Sequence, residues 1–241
     1  MPNQKYTLFI PFILILCLGC NESKPLTGTE VVDKSIAYHD PAGQWNSFKG
    51  ELKINLEYPD GKVRESLIQM DHPQSIFSIS EHKGEDHVFR YTDSDTSYVL
   101  VNDERVIEND STRKKGLTNE RTILLRDYYG YLYGLPMKLR DEGTVIHDEV
   151  EKVTFQGSEW YKVKVTYRDD VGEDTWYFYF DPLTYAMGIY QFYHEEEKND
   201  GEYILLEGEI KFDSLIIPMD RTWYTNDSSR LLGVDRLVEV R

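Results

Sequence analysis

From residue 50 onward the chain alternates. In "ELKINLEY", Leu52, Ile54, Leu56 and Tyr58 are interleaved with Glu51, Lys53, Asn55 and Glu57. This period of two marks a strand with one buried and one wet face. "PDGK" at 59–62 then predicts a turn, because Pro presets φ and Gly accepts a positive one. The chain returns through "VRESLIQM", and "QSIFSIS", "DHVFRYT" and "SYVLVN" continue the series. Turn signals recurring roughly every 10 residues predict an antiparallel meander. After residue 150 the pattern resumes in "EKVTFQ", "EWYKVKVTY", "TWYFYF", "AMGIYQFY" and "EYILLEGEIKF", and it closes with a pair around "TWYT" and "RLVEV". "TWYFYF" is apolar on both faces, which predicts an interior strand covered on both sides.

Two segments break the alternation. Thr27 and Glu30 have capping-box spacing ahead of "VVDKSIAY", predicting a helix over about 28–38 that ends near Pro41. In "TNERTILLRDYYGYLYGL", Leu124, Tyr128, Tyr131, Leu132 and Leu135 fall on one helical stripe. Asn119 is the expected N-cap, and Gly134 and Pro136 mark the end. Gly130 lies inside this helix, where it costs about 1 kcal/mol relative to Ala and is a candidate bend. The expected fold is mainly β (α+β). It is one large, curved antiparallel sheet or half-open barrel of about ten strands, with two helices over its concave face. The mid-chain helix is positioned to plug or lid that face. Trp45, Leu124, Tyr128, Tyr131, Leu132, Trp176, Phe178 and Phe180 are the candidates to line a cavity there. The same residues would equally make a packed core, and the sequence leaves both open.

The N-terminus changes where this fold is expected to work. Residues Leu8–Leu18 form an apolar run of 11, preceded by Lys5, against the roughly 20 needed to cross a bilayer. A charged start, a short apolar core and small Gly19 before Cys20 describe a cleaved secretory signal. The segment resembles a bacterial lipoprotein signal, with Cys17 where Leu is more usual. The resemblance implies a signal over 1–19, acylation of Cys20 and a tether over 20–27; with no internal repeat or long linker, residues 28–241 read as a single domain. Acylation would attach the chain to the membrane through lipid, and it accounts for a mature chain with a single cysteine. Asn21 in place of Asp implies the outer membrane, with the face left open.

The 241 residues carry a net charge of −16, which excludes a nucleic-acid binder and a polybasic membrane clamp. Chemistry has few candidates. His39 beside Asp40 suggests an acid–base pair for a hydrolase, yet Asp-Pro is an ordinary turn opening. No HExxH, GxSxG or Gly-rich phosphate loop occurs, and no cofactor is implied. Acidic clusters at 93–95, 169–174 and 194–202 lack the EF-hand pattern and fall where turns are expected.

His39-Asp40-Pro41 with Trp45, Gly134-Leu135-Pro136, and Phe180-Asp181-Pro182 followed by Tyr185 resemble an uncharacterised lipoprotein family of the Bacteroidota. That architecture in turn resembles the LolA/LolB-type lipoprotein carriers, half-closed barrels whose lidded concave face holds acyl chains. The resemblance implies a non-enzymatic protein binding a lipid, acyl chain or other apolar ligand. The alternatives are a hydrolase using His39 and Asp40, or a surface module binding glycan or protein through exposed aromatics.

Overall fold

The computed structural model describes residues 24–241. Cys20 and the signal-like segment lie outside the described residues. Thirteen antiparallel strands form one open sheet. They are β1 (Lys49–Glu57), β2 (Val63–Asp71), β3 (Ile76–Lys83), β4 (Asp86–Thr92), β5 (Ser97–Val101), β6 (Glu104–Arg105) and β7 (Thr144–Phe155). The series continues with β8 (Ser158–Tyr167), β9 (Thr175–Phe180), β10 (Met187–Tyr193), β11 (Glu202–Phe212), β12 (Leu215–Thr225) and β13 (Leu231–Val240). Among the described residues three α-helices accompany them: α1 (Gly28–His39), the single-turn α2 (Asp110–Lys114) and α3 (Asn119–Gly134).

The strand order is β6-β5-β4-β3-β2-β1-β13-β12-β11-β10-β9-β8-β7. The first and last strands are therefore neighbours at the centre, where Ile54 pairs with Leu237. The two free edges, β6 and β7, are consecutive in the chain. The segment joining them must pass from one edge of the curved sheet to the other, and it carries α2 and α3. This connectivity, and not helix propensity, puts α3 over the concave face.

β6 is a two-residue edge strand of Glu and Arg, with no apolar periodicity to announce it. β7 begins at Thr144, before the alternation in "EKVTFQ" starts, because an irregularity between Ile146 and Val150 shifts its register against β8. A short edge on one side and a charged edge on the other discourage further strand pairing. β9 matches its expectation. Phe178 and Phe180 are buried in the main core, while Tyr177 and Tyr179 are buried in a second cluster on the other face with Ile189.

At α1 the capping box forms: Glu30 N–H donates to Thr27 Oγ1 at 3.2 Å, and Thr27 N–H to Glu30 Oε2 at 2.8 Å. Val31 and Val32 enter the core. Gly28 lies directly on β7, where an added Cβ would stand 2.0 Å from the His147 carbonyl oxygen. α3 runs unbroken through Gly130. Its N-cap is Thr118, whose Oγ1 accepts from Arg121 N–H at 3.1 Å. Asn119, the expected cap, is the first helical residue, and its N–H donates to Glu108 Oε1 at 2.8 Å.

The buried face of α3 differs from the expected stripe. Thr122, Tyr129, Leu132, Tyr133 and Gly134 are buried, whereas Leu124 is 52% and Tyr128 44% exposed. Apolar residues surround this helix without one dominant stripe, so its orientation follows from what lies beneath. That surface is polar as well as apolar. Alternation and register place Arg64, Glu81, Arg90, Arg221 and Asp235 on the inward side of the sheet, with Ile79 paired to Arg90 and Arg221 to Asp235. Aromatic faces carrying hydroxyls suit such a floor better than leucine does.

Candidate functional site

α3 crosses the trough and leaves a cleft on each side. Its own attachments are aromatic. Tyr129 stacks over Phe77 of β3, with centroids 6.5 Å apart, and Tyr131 reaches the opposite half of the sheet. There its ring meets Trp176 edge-on at 5.5 Å, and its hydroxyl bonds to that of Tyr167. Burial together with this phenol partner pushes the Tyr131 pKa well above the ordinary value.

The first cleft opens where β1 ends and β13 begins, and has a volume of about 520 Å³. Six aromatic rings line it: Tyr58, Tyr128, Tyr131, Trp176, Phe192 and Trp223. Leu56, Leu132 and Leu232 complete the apolar wall, and its polar members are Asp174, His194, Glu202 and Asp235. Trp176 and Phe192 stack with centroids 4.9 Å apart. Burial raises the pKa of Glu202 and of Asp235 above the carboxylate norm, while Asp174 raises that of His194. The His194 Nδ1 to Asp174 Oδ1 distance is 2.7 Å.

The second cleft opens at the other end of the strands, where β2 ends and β3 begins, and has a volume of about 640 Å³. Its wall is of mixed charge, with Asp71, His72, Arg126, Asp127, Lys138 and Asp141 among its members. Tyr131 lines both clefts.

Of the eight cavity candidates, Tyr128, Tyr131, Leu132 and Trp176 come together on the first cleft. Trp45 is buried and lines the second. Phe178 and Phe180 are fully buried in the packed core, because inward-facing positions at mid-strand are already filled by side chains of neighbouring strands. Leu124 points to solvent on the outer side of α3. The trough thus holds a packed core and two open clefts together. Phe192, Trp223 and Asp235 were not singled out from sequence. Their alternation placed them on a sheet face, but only strand register brings β10, β12 and β13 together at one end of it.

His39 and Asp40 do not act on each other. His39 Nδ1 lies 2.7 Å from the Ile216 carbonyl oxygen, and its Nε2 accepts the Met187 N–H at 3.0 Å. A carbonyl only accepts, so Nδ1 carries the proton and the ring is neutral. Burial lowers its pKa accordingly. Asp40 accepts the N–H groups of Gln44 at 2.7 Å and Trp45 at 2.9 Å. Both side chains serve the backbone, which leaves no base for the hydrolase reading at this pair.

Acidic loops behave as turn chemistry. Asp93 Oδ1 accepts the N–H groups of Asp95 and Thr96, both at 2.8 Å. Asp200 Oδ1 accepts those of His194 at 2.9 Å and Glu195 at 2.8 Å. Among the described residues no group of three or more His, Cys, Asp or Glu is arranged to hold a metal ion. No helix there is long and apolar enough to cross a membrane.

A model of a family of unknown function, DUF6503, matches residues 6–240. No curated protein matches the chain. Among solved structures, a LolA superfamily protein from Nitrosomonas europaea is similar with a TM-score of 0.53 at 10% identity, covering 90% of this chain and 94% of its own. A domain described as a candidate outer membrane lipoprotein-sorting protein from Vibrio parahaemolyticus is similar with a TM-score of 0.50 at 8% identity, covering 89% and 92%. At such identities the likeness is one of fold: an open antiparallel sheet with helices on its concave side.

Proposed function

The chain belongs to the DUF6503 family, whose function is unknown, and we propose that it is a lipid-anchored envelope protein holding an apolar ligand in the cleft beside α3. One observation carries the reading. An open, ring-lined cleft of about 520 Å³ persists in a sheet whose centre is otherwise packed. Ligand sites span about 300–1,000 Å³, are mostly apolar and carry few polar groups. The same side of α3 leaves Tyr128 half-exposed at the mouth, where apolar surface facing water has a cost that a ligand would remove. The ligand class is a lipid, an acyl chain or another molecule of comparable apolar length. The fold shared with the LolA superfamily supports a carrier or binding role over catalysis.

Anchoring is proposed through acylated Cys20 at the outer membrane. The tether then ends at Gly28, where α1 docks on β7, so the cleft would ride close to the bilayer that supplies its ligand. Metabolic labelling with a radioactive fatty acid tests the anchor. Label should enter the wild-type chain and be lost in Cys20→Ser.

Native mass spectrometry of the protein released from its own membranes, with the tether cleaved, tests the cleft. A discrete additional mass that disappears on lipid extraction is the expected result. Bare protein mass, under conditions that preserve a lipid carrier's complex, would sink the reading.

A further inference from the structure

Within that apolar-ligand reading, we infer that the cleft beside α3 selects ligands whose polar end is a cation, a primary or quaternary amine, over those ending in phosphate, sulfate or carboxylate. The two clefts differ in charge. Arg126 and Lys138 line the second, while among the described residues no Lys or Arg lines the first. The first carries three carboxylates among its rings.

Asp174 is shared with His194, which leaves Glu202 and Asp235. Asp235 is 6% exposed. Its Oδ2 accepts the Trp223 indole N–H at 3.1 Å, and among the described residues its Oδ1 has no hydrogen-bond donor. Oδ1 is not sealed in the core: it belongs to a largely buried side chain on the aromatic wall, where a cation or donor in the cleft can reach it. Two arginines stand behind it, and both are engaged elsewhere. Arg221 donates to the carbonyls of Pro218 at 3.0 Å and Leu132 at 3.4 Å and lies 3.9 Å over the Tyr133 ring. Arg64 pairs with Glu81 at 3.7 Å. Neither is within ion-pair distance of Asp235, and both bear on it only through space. His194 and, more weakly, Arg230 bear on Glu202 only through space.

The rings supply the rest. An aromatic face attracts a cation through its quadrupole, Trp most strongly, and rings surrounding a quaternary ammonium hold it without hydrogen bonds. Trp176 and Trp223 line this cleft with Phe192 and Tyr128 beside them. An anionic end group would meet the same faces and carboxylates as repulsion, which is specificity by exclusion.

The test uses three amphiphiles with one tail: decyltrimethylammonium, decyl sulfate and decyl maltoside, each kept below micelle formation. They are titrated into the purified full chain while following the fluorescence of the cleft tryptophans. The cation should bind about tenfold more tightly than the neutral amphiphile, with the anion weakest. Asp235→Asn should remove most of that preference, bringing the ratio of decyltrimethylammonium to decyl maltoside affinity close to one. Should Asp235→Asn fail to fold, the half-buried Glu202→Gln gives a smaller loss of the same preference. Equal binding of all three, or tightest binding of the sulfate, would overturn the cation inference and leave the apolar cleft standing. Binding of none would overturn both.

Discussion

The hydroxyl of Tyr131 on α3 meets the hydroxyl of Tyr167 at the end of β8. This contact ties the helix to the far half of the sheet, while Tyr129 holds it to the near half at Phe77. Tyr131 is also the wall between the two clefts. One side chain therefore sets both how firmly α3 is seated and how the trough is divided.

Tyr167→Phe removes the hydrogen bond while keeping the ring. A loss of about 1 kcal/mol is expected, the usual net worth of such a bond. Because Tyr131 packs on Trp176, the variant should also shift the tryptophan emission. Urea unfolding with fluorescence detection reads both. An unchanged midpoint and spectrum would mean that α3 is seated by other contacts.

His39 makes stability depend on pH. Its folded pKa lies below the unfolded value, so its contribution is present above about pH 6.5 and is lost as pH falls through the folded pKa. Between about pH 6.5 and the folded pKa the unfolded chain holds the extra proton, and stability falls by up to about 1.4 kcal/mol per pH unit. His72 has the same direction from burial, so two histidines contribute to the slope. His39→Asn should be less stable at pH 7.5 and show a shallower decline toward pH 5 in urea melts. Parallel curves for variant and wild type would exclude the neutral role.

Two substitutions on α3 separate cleft from outer surface. Tyr128→Ala, at a half-exposed position on the cleft, should change stability by no more than about 1 kcal/mol while weakening ligand capture. Leu124→Asp, on the solvent side, should leave both unchanged. Loss of bound lipid in native mass spectra of Leu124→Asp, with Tyr128→Ala unaffected, would reverse the assignment of faces.

Gly28→Ala tests the docking of α1. The new Cβ meets backbone, not a movable side chain, at the His147 carbonyl. Overpacking of this kind destabilises by about 1–3 kcal/mol. A melting temperature equal to wild type would show that the helix start can move away from β7 without penalty.

Local physics was readable along the chain. Thr27 and Glu30 announced the start of α1, because a capping box involves residues three apart. Alternation announced the strands, and the double-sided apolar run of "TWYFYF" announced a covered interior strand. "PDGK" and the acidic clusters announced turns, where Asp93 and Asp200 now hold backbone N–H groups. Each of these signals lies within a few residues of what it governs.

The cleft did not depend on neighbours in sequence. Trp176, Phe192, Trp223 and Asp235 belong to four strands, and only register brings them to one end of the sheet. The buried face of α3 was equally out of reach. Its apolar residues point in several directions, and the choice of Tyr129 and Tyr133 over Leu124 was made by a floor containing Arg221, Arg64 and Asp235. His39 looked like half of an acid–base pair until two distant backbone groups, at Ile216 and Met187, took both of its nitrogens. The sequence by itself determined the elements, because hydrogen bonding and alternation act locally. The tertiary structure decided the cleft and its charge, because those depend on which distant side chains the curved sheet places together and leaves unpaired.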